Sequence, residues 1–283
     1  TTPQRHHHSM GTGDDSPTLL LMPSWTDQYA GVKIVTVFPT NRDTDVATIN
    51  GNYLLLNGAT GVPLAILDGG ALTARRTAAA SILAATMLAR PDSRCLVVVG
   101  SGRLAAELAR GYCALFPIDE VTVWNHRAAG AEQLAATLRD EGFPATSTTD
   151  LGAACATADI VTCATMSTTP VVPGDSLNAG CHLDLVGAFT PAMREADDVA
   201  IRRARVFVDT MVGALTEAGD ILQPIQSGAL RESDIEADLF SLCRGFDMHR
   251  ADDDITLFKS VGHALEDLVS AAAVYEALAQ QPR

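Results

Sequence analysis

The sequence predicts an α/β protein: a central Rossmann-type, doubly wound parallel sheet over residues 75–225, with an α+β domain built from both chain ends, 1–74 and 226–283. Three observations predict it. Cys95–Leu108, CLVVVGSGRLAAEL, runs four apolar residues without alternation into a glycine turn and then a helical pattern. A continuous apolar run of that kind suits a strand buried on both faces of a parallel sheet. Strands alternate with helical segments from about 95 to 210, the rhythm a doubly wound sheet requires. Outside that stretch the rhythm changes, to short strands before residue 70 and one long helix at the end.

Taken in order, residues 1–18 are polar and read as a loop, with His6, His7 and His8 part of it. LLLMP (19–23), VKIVTVF (32–38), YLLLN (53–57) and VPLAIL (62–67) read as strands, the last two joined by a hairpin around Asn57–Gly61. Lys33 shares a strand face with Val35 and Val37. Such a lysine sits at an edge with its head in water or faces a polar cavity, and spacing alone favours the edge. Ala71–Leu88 is an alanine-rich helix carrying Arg75 and Arg76.

Gly100 and Gly102 let the backbone after the first buried strand turn tightly, while Ala105 holds the place of a third glycine. The helix opening at Arg103 points its N–H groups and positive dipole end at an anion. A second strand, VTVW (121–124), ends in Asn125-His126-Arg127. An NAD site wants an acid there for the ribose 2′-hydroxyl. A neutral side chain and a cation suit a 2′-phosphate instead, so NADPH is the preferred cofactor and NADH a possible one. Helices follow at 131–141 and 150–157, and strands at 158–165, 181–191 and 204–209. Residues 211–251 read as helix and loop, and Leu257–Ala279 as a final helix with Leu265, Leu268, Val269 and Ala272 on one face. The site is expected in the cleft between the two domains.

Composition narrows the function classes. The 283 residues carry a formal charge of −14, which argues against nucleic acid and anionic membrane as partners. No apolar run approaches a membrane span and no signal-peptide pattern stands at the start. Thr1 in place of a Met leaves room for a preceding piece. Six cysteines scattered through apolar contexts, with no C-x-x-C pair, fit reduced core residues in the cytoplasm. No metal site is expected.

Read together, GVKIVTVFPTN, TGVPLAILDGGALTARRTAAAS, VVVGSGR, HLDLVGAFTPAMRE and ITLFKSVGHALEDL resemble the ornithine cyclodeaminase/mu-crystallin family over almost the whole chain. The resemblance implies a homodimer in which the chain ends form a substrate and dimerisation domain around a central dinucleotide domain. It implies that Arg5 and Arg76 bind a substrate carboxylate, a group a guanidinium fork grips bidentately. Lys33 would stand beside the reacting carbon–nitrogen bond, and Thr48 would be a substrate-side threonine. Thr77, Gly100, Ser101, Gly102, Arg103 and Leu104 would contact the cofactor phosphates. Asn125, His126 and Arg127 would meet the ribose or its phosphate. Thr165, Met166, Ser167 and Val186 would line the cofactor, with Lys259, Ser260 and Gly262 closing the site.

Family chemistries include ornithine cyclodeamination, alanine dehydrogenation and reduction of cyclic ketimine acids. Where the cyclodeaminases carry a catalytic aspartate, this chain has Phe189, which takes no proton and suits an apolar ring. HLDLVGAFTP-x-MRE resembles the ketimine-reducing branch, and the resemblance implies reduction of a five- or six-membered cyclic imino acid to L-proline or L-pipecolate. The alternatives are cyclodeamination, an alanine-type dehydrogenase, and a crystallin-like NADPH binder without turnover. The imine's source is open between a dehydratase acting on trans-3-hydroxy-L-proline and an oxidase acting on lysine or D-amino acids. Lys33 is the candidate proton donor, a role that needs an amine pKa drawn toward neutrality by burial beside Arg5 and Arg76.

Overall fold

The structure, a computed structural model, describes residues 1–13 and 16–280, with only the backbone described at 42 and 43. The chain begins with five strands: β1 (His6–Ser9), β2 (Thr18–Trp25), β3 (Tyr29–Val37), β4 (Ile49–Asn57) and β5 (Pro63–Asp68). Helix α1 (Gly69–Leu88) leads to β6 (Cys95–Val99), α2 (Arg103–Leu115), β7 (Glu120–Trp124), α3 (Ala128–Asp140) and β8 (Ala145–Thr148). Next come α4 (Leu151–Cys155), β9 (Ile160–Cys163), β10 (His182–Leu185), α5 (Asp198–Arg203) and β11 (Ala204–Val208). The chain ends with α6 (Met211–Thr216), α7 (Gly219–Ser227), β12 (Ile235–Asp238), α8 (Leu239–Cys243), β13 (Ile255–Lys259) and α9 (Ala264–Ala279).

These elements form two compact units. The first is Thr1–Arg76 with the chain from His263 onward, and the second is Thr77–Gly262. The expected return to the first unit at residue 226 is corrected by 37 residues, because β12 and β13 belong to the large parallel sheet. There β13 pairs with β10 on one side and β11 on the other.

In the first unit β1–β5 form an antiparallel meander in sequence order. Period-two side-chain direction divides its residues. Met22, Lys33, Tyr53 and Leu67 stand in one cross-strand row, and Ser24, Gly31, Leu55 and Ala65 in the next. Tyr53 and Leu55 pack with Leu72, Leu268 and Ala271, which places α9 over this face. Gly31 is required there, since a Cβ at this position would lie 2.7 Å from the Tyr53 ring. Two expectations are corrected. His6–His8 are not a loop but edge strand β1, paired with Leu19–Leu21. Val269 is exposed rather than inward, and the inner stripe of α9 is Ala264, Asp267, Leu268, Ala271 and Ala272.

The second unit is an all-parallel sheet in the order β12-β11-β13-β10-β9-β6-β7-β8. Both its faces are buried. Leu96 and Val98 of β6 pack with α2 and α3 through Leu108, Tyr112, Leu134 and Leu138. Val97 and Val99 pack toward Leu151, Ile201 and Ile221 on the opposite side. The strand order reverses around β6, between β9 and β7, and a ligand crevice forms beyond the carboxyl ends of strands at such a switch point. The expected helix over 257–263 is corrected as well: Ile255–Lys259 is a fully buried strand, and the last helix begins only at Ala264.

Candidate active site

Lys33 lies on β3, a central strand of its sheet, so the edge reading is overturned. The residue is 3% exposed. Its ammonium donates to Asp267 Oδ1 at 3.0 Å, stands 2.8 Å from Oδ2, and reaches Thr73 Oγ1 at 3.5 Å. Asp267 is wholly buried and also accepts from Arg76 Nε at 2.9 Å. Arg76 donates through Nη1 to Glu266 Oε2 at 2.7 Å. Thr73 and Arg76 are three residues apart on α1 and so share a helix face. Glu266 and Asp267 sit in the first turn of α9, where the helix dipole favours negative charge. Strand, first helix and last helix thus converge within one unit on a buried cluster of two cations and two acids.

The electrostatics follow from that geometry. Burial lowers the Lys33 pKa to about 8, helped by the Arg76 and Arg5 charges and opposed by Asp267. Arg5, half-buried just before β1, therefore lies close enough to act on Lys33. Tyr53, directly opposite Lys33 on β4, has a buried hydroxyl with no hydrogen-bond partner among the described residues, and burial raises its pKa. Thr48 is not brought to this cluster. It sits before β4, its carbonyl accepting from Phe38 N, and so lies about 16 Å along the strand from Lys33.

The second unit carries the expected cofactor residues at one end of its sheet. Gly100–Leu104 follow β6, Asn125–Arg127 follow β7, Thr165–Ser167 follow β9, Val186 follows β10, and Lys259, Ser260 and Gly262 end or follow β13. Thr77 instead lies on α1, buried. Gly100 has φ +116°, and a Cβ there would lie 2.7 Å from the Ala164 carbonyl oxygen. Gly102 caps α2 with no side-chain hydrogen bond, and a Cβ on it would meet open space. Ala105, completely buried, seats the helix on the sheet. These features fit a dinucleotide pyrophosphate: bare backbone N–H groups, an uncapped helix end and room above. Asn125 donates to the Arg127 carbonyl, and His126 and Arg127 are exposed beside it. Met166 and Phe189 are exposed too.

Lys259 closes β13 among acids. It is fully buried, 3.0 Å from Asp220 Oδ2 and 3.9 Å from Glu195 Oε2, so its ammonium is held by the protein's own carboxylates. Ser260 Oγ and Gly262 N both donate to Asp209 Oδ2, at 3.2 and 2.7 Å. Asp267, Glu266, Glu195, Asp209 and Asp220 were missed as candidates. The available signal was an acid inside an apolar helical stripe or at the end of a quoted motif. Among the described residues, no group of three His, Cys, Asp or Glu side chains is placed to hold a metal ion, and no helix is long and apolar enough to cross a membrane.

A doubly wound parallel sheet with a glycine phosphate turn at its switch point defines a dinucleotide-binding protein of Rossmann type. The model of the ornithine cyclodeaminase/mu-crystallin family matches residues 4–281, and the chain belongs to that family. It is 38% identical over 284 residues to the Δ1-pyrroline-2-carboxylate reductase of Colwellia psychrerythraea, covering 98% of this chain and 90% of the relative. The structure of the Thermococcus litoralis Δ1-pyrroline-2-carboxylate reductase in complex with NADH and L-proline is 31% identical. It superposes with a TM-score of 0.91, covering 98% of this chain and 87% of the other. An archaeal alanine dehydrogenase dimer with bound NAD is 29% identical with a TM-score of 0.90, over 99% and 86% of the two chains.

Proposed function

We propose that this protein reduces the C=N bond of cyclic imino acids with a nicotinamide dinucleotide, converting Δ1-pyrroline-2-carboxylate to L-proline and Δ1-piperideine-2-carboxylate to L-pipecolate. The observation that carries the reading is the buried Lys33–Asp267–Arg76 cluster, in a chain 38% identical to a reductase of that name. Phe189 favours an apolar ring over the charged tail of ornithine.

A bound dihydronicotinamide supplies hydride to C2 of the ring. The imine nitrogen must carry a proton for C2 to be electrophilic. Lys33 delivers that proton: with a pKa of about 8 it is mostly protonated at neutral pH yet more acidic than an ordinary lysine. Asp267 holds the ammonium at a fixed point and keeps the buried cation charged. Arg76 and Arg5 supply positive charge for the substrate carboxylate. Arg76 does so while Nε and Nη1 each already donate to a carboxylate, Asp267 and Glu266, so the two Nη2 N–H groups are the ones left to turn to the substrate. Holding the acid and the carboxylate in register is a large part of catalysis for such a step.

For the cofactor, Gly100, Ser101, Gly102, Arg103 and Leu104 with Thr77 hold the phosphates, and Thr165, Met166, Ser167 and Val186 line the remainder. NADPH is preferred over NADH because Asn125 and Arg127 stand where an NAD site places an acid. A homodimer is supported by the outer face of the five-stranded sheet, where Leu21, Val32, Ile34, Leu54 and Ile66 form an apolar patch, with Ile66 76% exposed. Six thiols, three of them buried, fit the reducing cytoplasm.

The test is NADPH oxidation with each ring in turn. Rapid oxidation with either is expected, while silence with both, alongside demonstrated NADPH binding, would overturn the reading. Lys33→Ala should lower kcat at least 100-fold and leave the NADPH Kd within about twofold; unchanged turnover would remove Lys33 from the mechanism.

A further inference from the structure

The loop after β9 and the turn after β10 are tied together by one side chain outside every motif role assigned so far. Glu195 is completely buried. Its Oε1 accepts from Thr165 N at 2.7 Å and Thr165 Oγ1 at 2.8 Å, and its Oε2 from Gly187 N at 2.8 Å and Ala188 N at 3.1 Å. Its backbone extends the lacing. Glu195 N donates to Asp220 Oδ1, its carbonyl accepts from Val171 N and Val172 N, and Arg194 N donates to the Ser167 carbonyl. Gly187 is packed so closely that a Cβ would run into the Thr165 backbone. On the other side, the Ala164 carbonyl abuts the site where a Gly100 Cβ would be. Contacts therefore run from Glu195, through the β9 loop, to the phosphate turn.

We propose that Glu195 is the positioning residue of the dinucleotide crevice: its ionised carboxylate fixes the loops after β9 and β10, and cofactor affinity depends on that charge. The proposal rests on the dinucleotide reading of this unit and not on the identity of the imino acid. Four donors converge on two oxygens, and three of them are backbone N–H groups that can only donate. A protonated carboxyl has to aim its own O–H at the Thr165 hydroxyl, which must then turn and accept instead of donating. The surrounding groups set when this happens. Lys259 from β13 faces Glu195 at 3.9 Å, Asp220 from α7 shares that lysine, Asp209 at the end of β11 adds negative charge near it, and the Cys163 thiol of β9 lies alongside. Burial and Asp220 push the carboxyl up to about 7 against the pull of Lys259 and the Thr165 hydrogen bonds. Ionisation therefore increases as pH rises through neutrality, and dinucleotide affinity increases with it.

The experiment is calorimetric titration of the whole protein with NADP⁺ and, separately, NAD⁺ between pH 6 and 8, with no imine present. NAD⁺ lacks the 2′-phosphate, which itself titrates near pH 6, so its curve isolates the protein's contribution. The expected result is an NAD⁺ Kd that rises three- to tenfold from pH 8 to pH 6. Glu195→Gln should raise Kd at least tenfold at pH 8 and flatten the pH dependence. A merely structural role would lower the melting temperature and leave the shape of that curve alone. If Glu195→Gln does not fold, Thr165→Val removes one of the four donors and should move the wild-type midpoint to higher pH. A pH-independent Kd in the wild type, an unflattened slope in Glu195→Gln, or an unmoved midpoint in Thr165→Val overturns the proposal. Failure of both dinucleotides to bind would sink the dinucleotide reading and this proposal with it. Normal binding without imine reduction would touch only the substrate assignment.

Discussion

Lys33 carries a charge almost out of contact with water, and its behaviour is set by three neighbours of two signs. Arg76 and Arg5 disfavour its proton and Asp267 favours it. A donor must be protonated, so reductive kcat/KM should fall as pH rises through about 8; a profile level from pH 7 to 10 would exclude Lys33 as donor. Asp267→Asn removes the one group raising the Lys33 pKa, so that alkaline limb should move to lower pH. The same change leaves Lys33 and Arg76 without their shared counterion, and losing one partner of a buried pair costs about 3–5 kcal/mol. A fall in melting temperature together with the displaced limb would confirm both roles. The motif resemblance singled out the cations, since the spacing of Lys33 on its strand alone favours an edge. Sequence hid their partner. Lys33 and Asp267 are 234 residues apart, and local periodicity carries no information across that distance.

At the level of elements, the glycine turn was legible because its constraints are local: a strand must end, the backbone must reverse, and a helix must start within three residues. Gly100 adopts a φ of +116°, disfavoured for any residue with a Cβ, and faces the Ala164 carbonyl. Gly100→Ala should therefore disturb the turn and the β9 loop together, raising the NADPH Kd at least tenfold in a direct binding titration with secondary structure preserved by circular dichroism. A Kd within twofold of wild type would show that this turn does not carry the phosphates. β13 was misread for a physical reason. Ile255-Thr-Leu-Phe-Lys is too short to show a period, and a buried strand and a buried helix both present continuous apolar runs. Its neighbours β10 and β11, distant in sequence, select the strand. Lys259 ends that strand, and its side chain lies between Asp220 and Glu195.

The whole molecule turns on where the chain leaves and re-enters the first unit. The exit near residue 76 lies close to the expected 74/75, where short strands give way to strands alternating with helices, but the return was hidden, because β12 and β13 are short and the boundary at 262/263 lies inside a motif. The same unit presents the clearest feature of molecular scale. Its sheet has one face covered by α9, while the other carries Leu21, Val32, Ile34, Leu54 and Ile66 in adjoining rows. A contiguous apolar face of this kind marks an interaction surface. In the proposed homodimer a second copy of the chain covers it, since a twofold axis through the sheet sets the same patch against itself. Ile66 and Ile34 are the residues to change, as both are exposed within the unit and neither contributes to its core. Ile34→Glu with Ile66→Glu should convert a dimer of about 60 kDa, twice the 29.7 kDa chain, to monomer in sedimentation velocity. The double variant should keep its melting transition, because the charges meet water in the monomer and each other only across the dimer axis. A wild-type protein that sediments as monomer, or a double variant still dimeric at micromolar concentration, would remove this face as the interface.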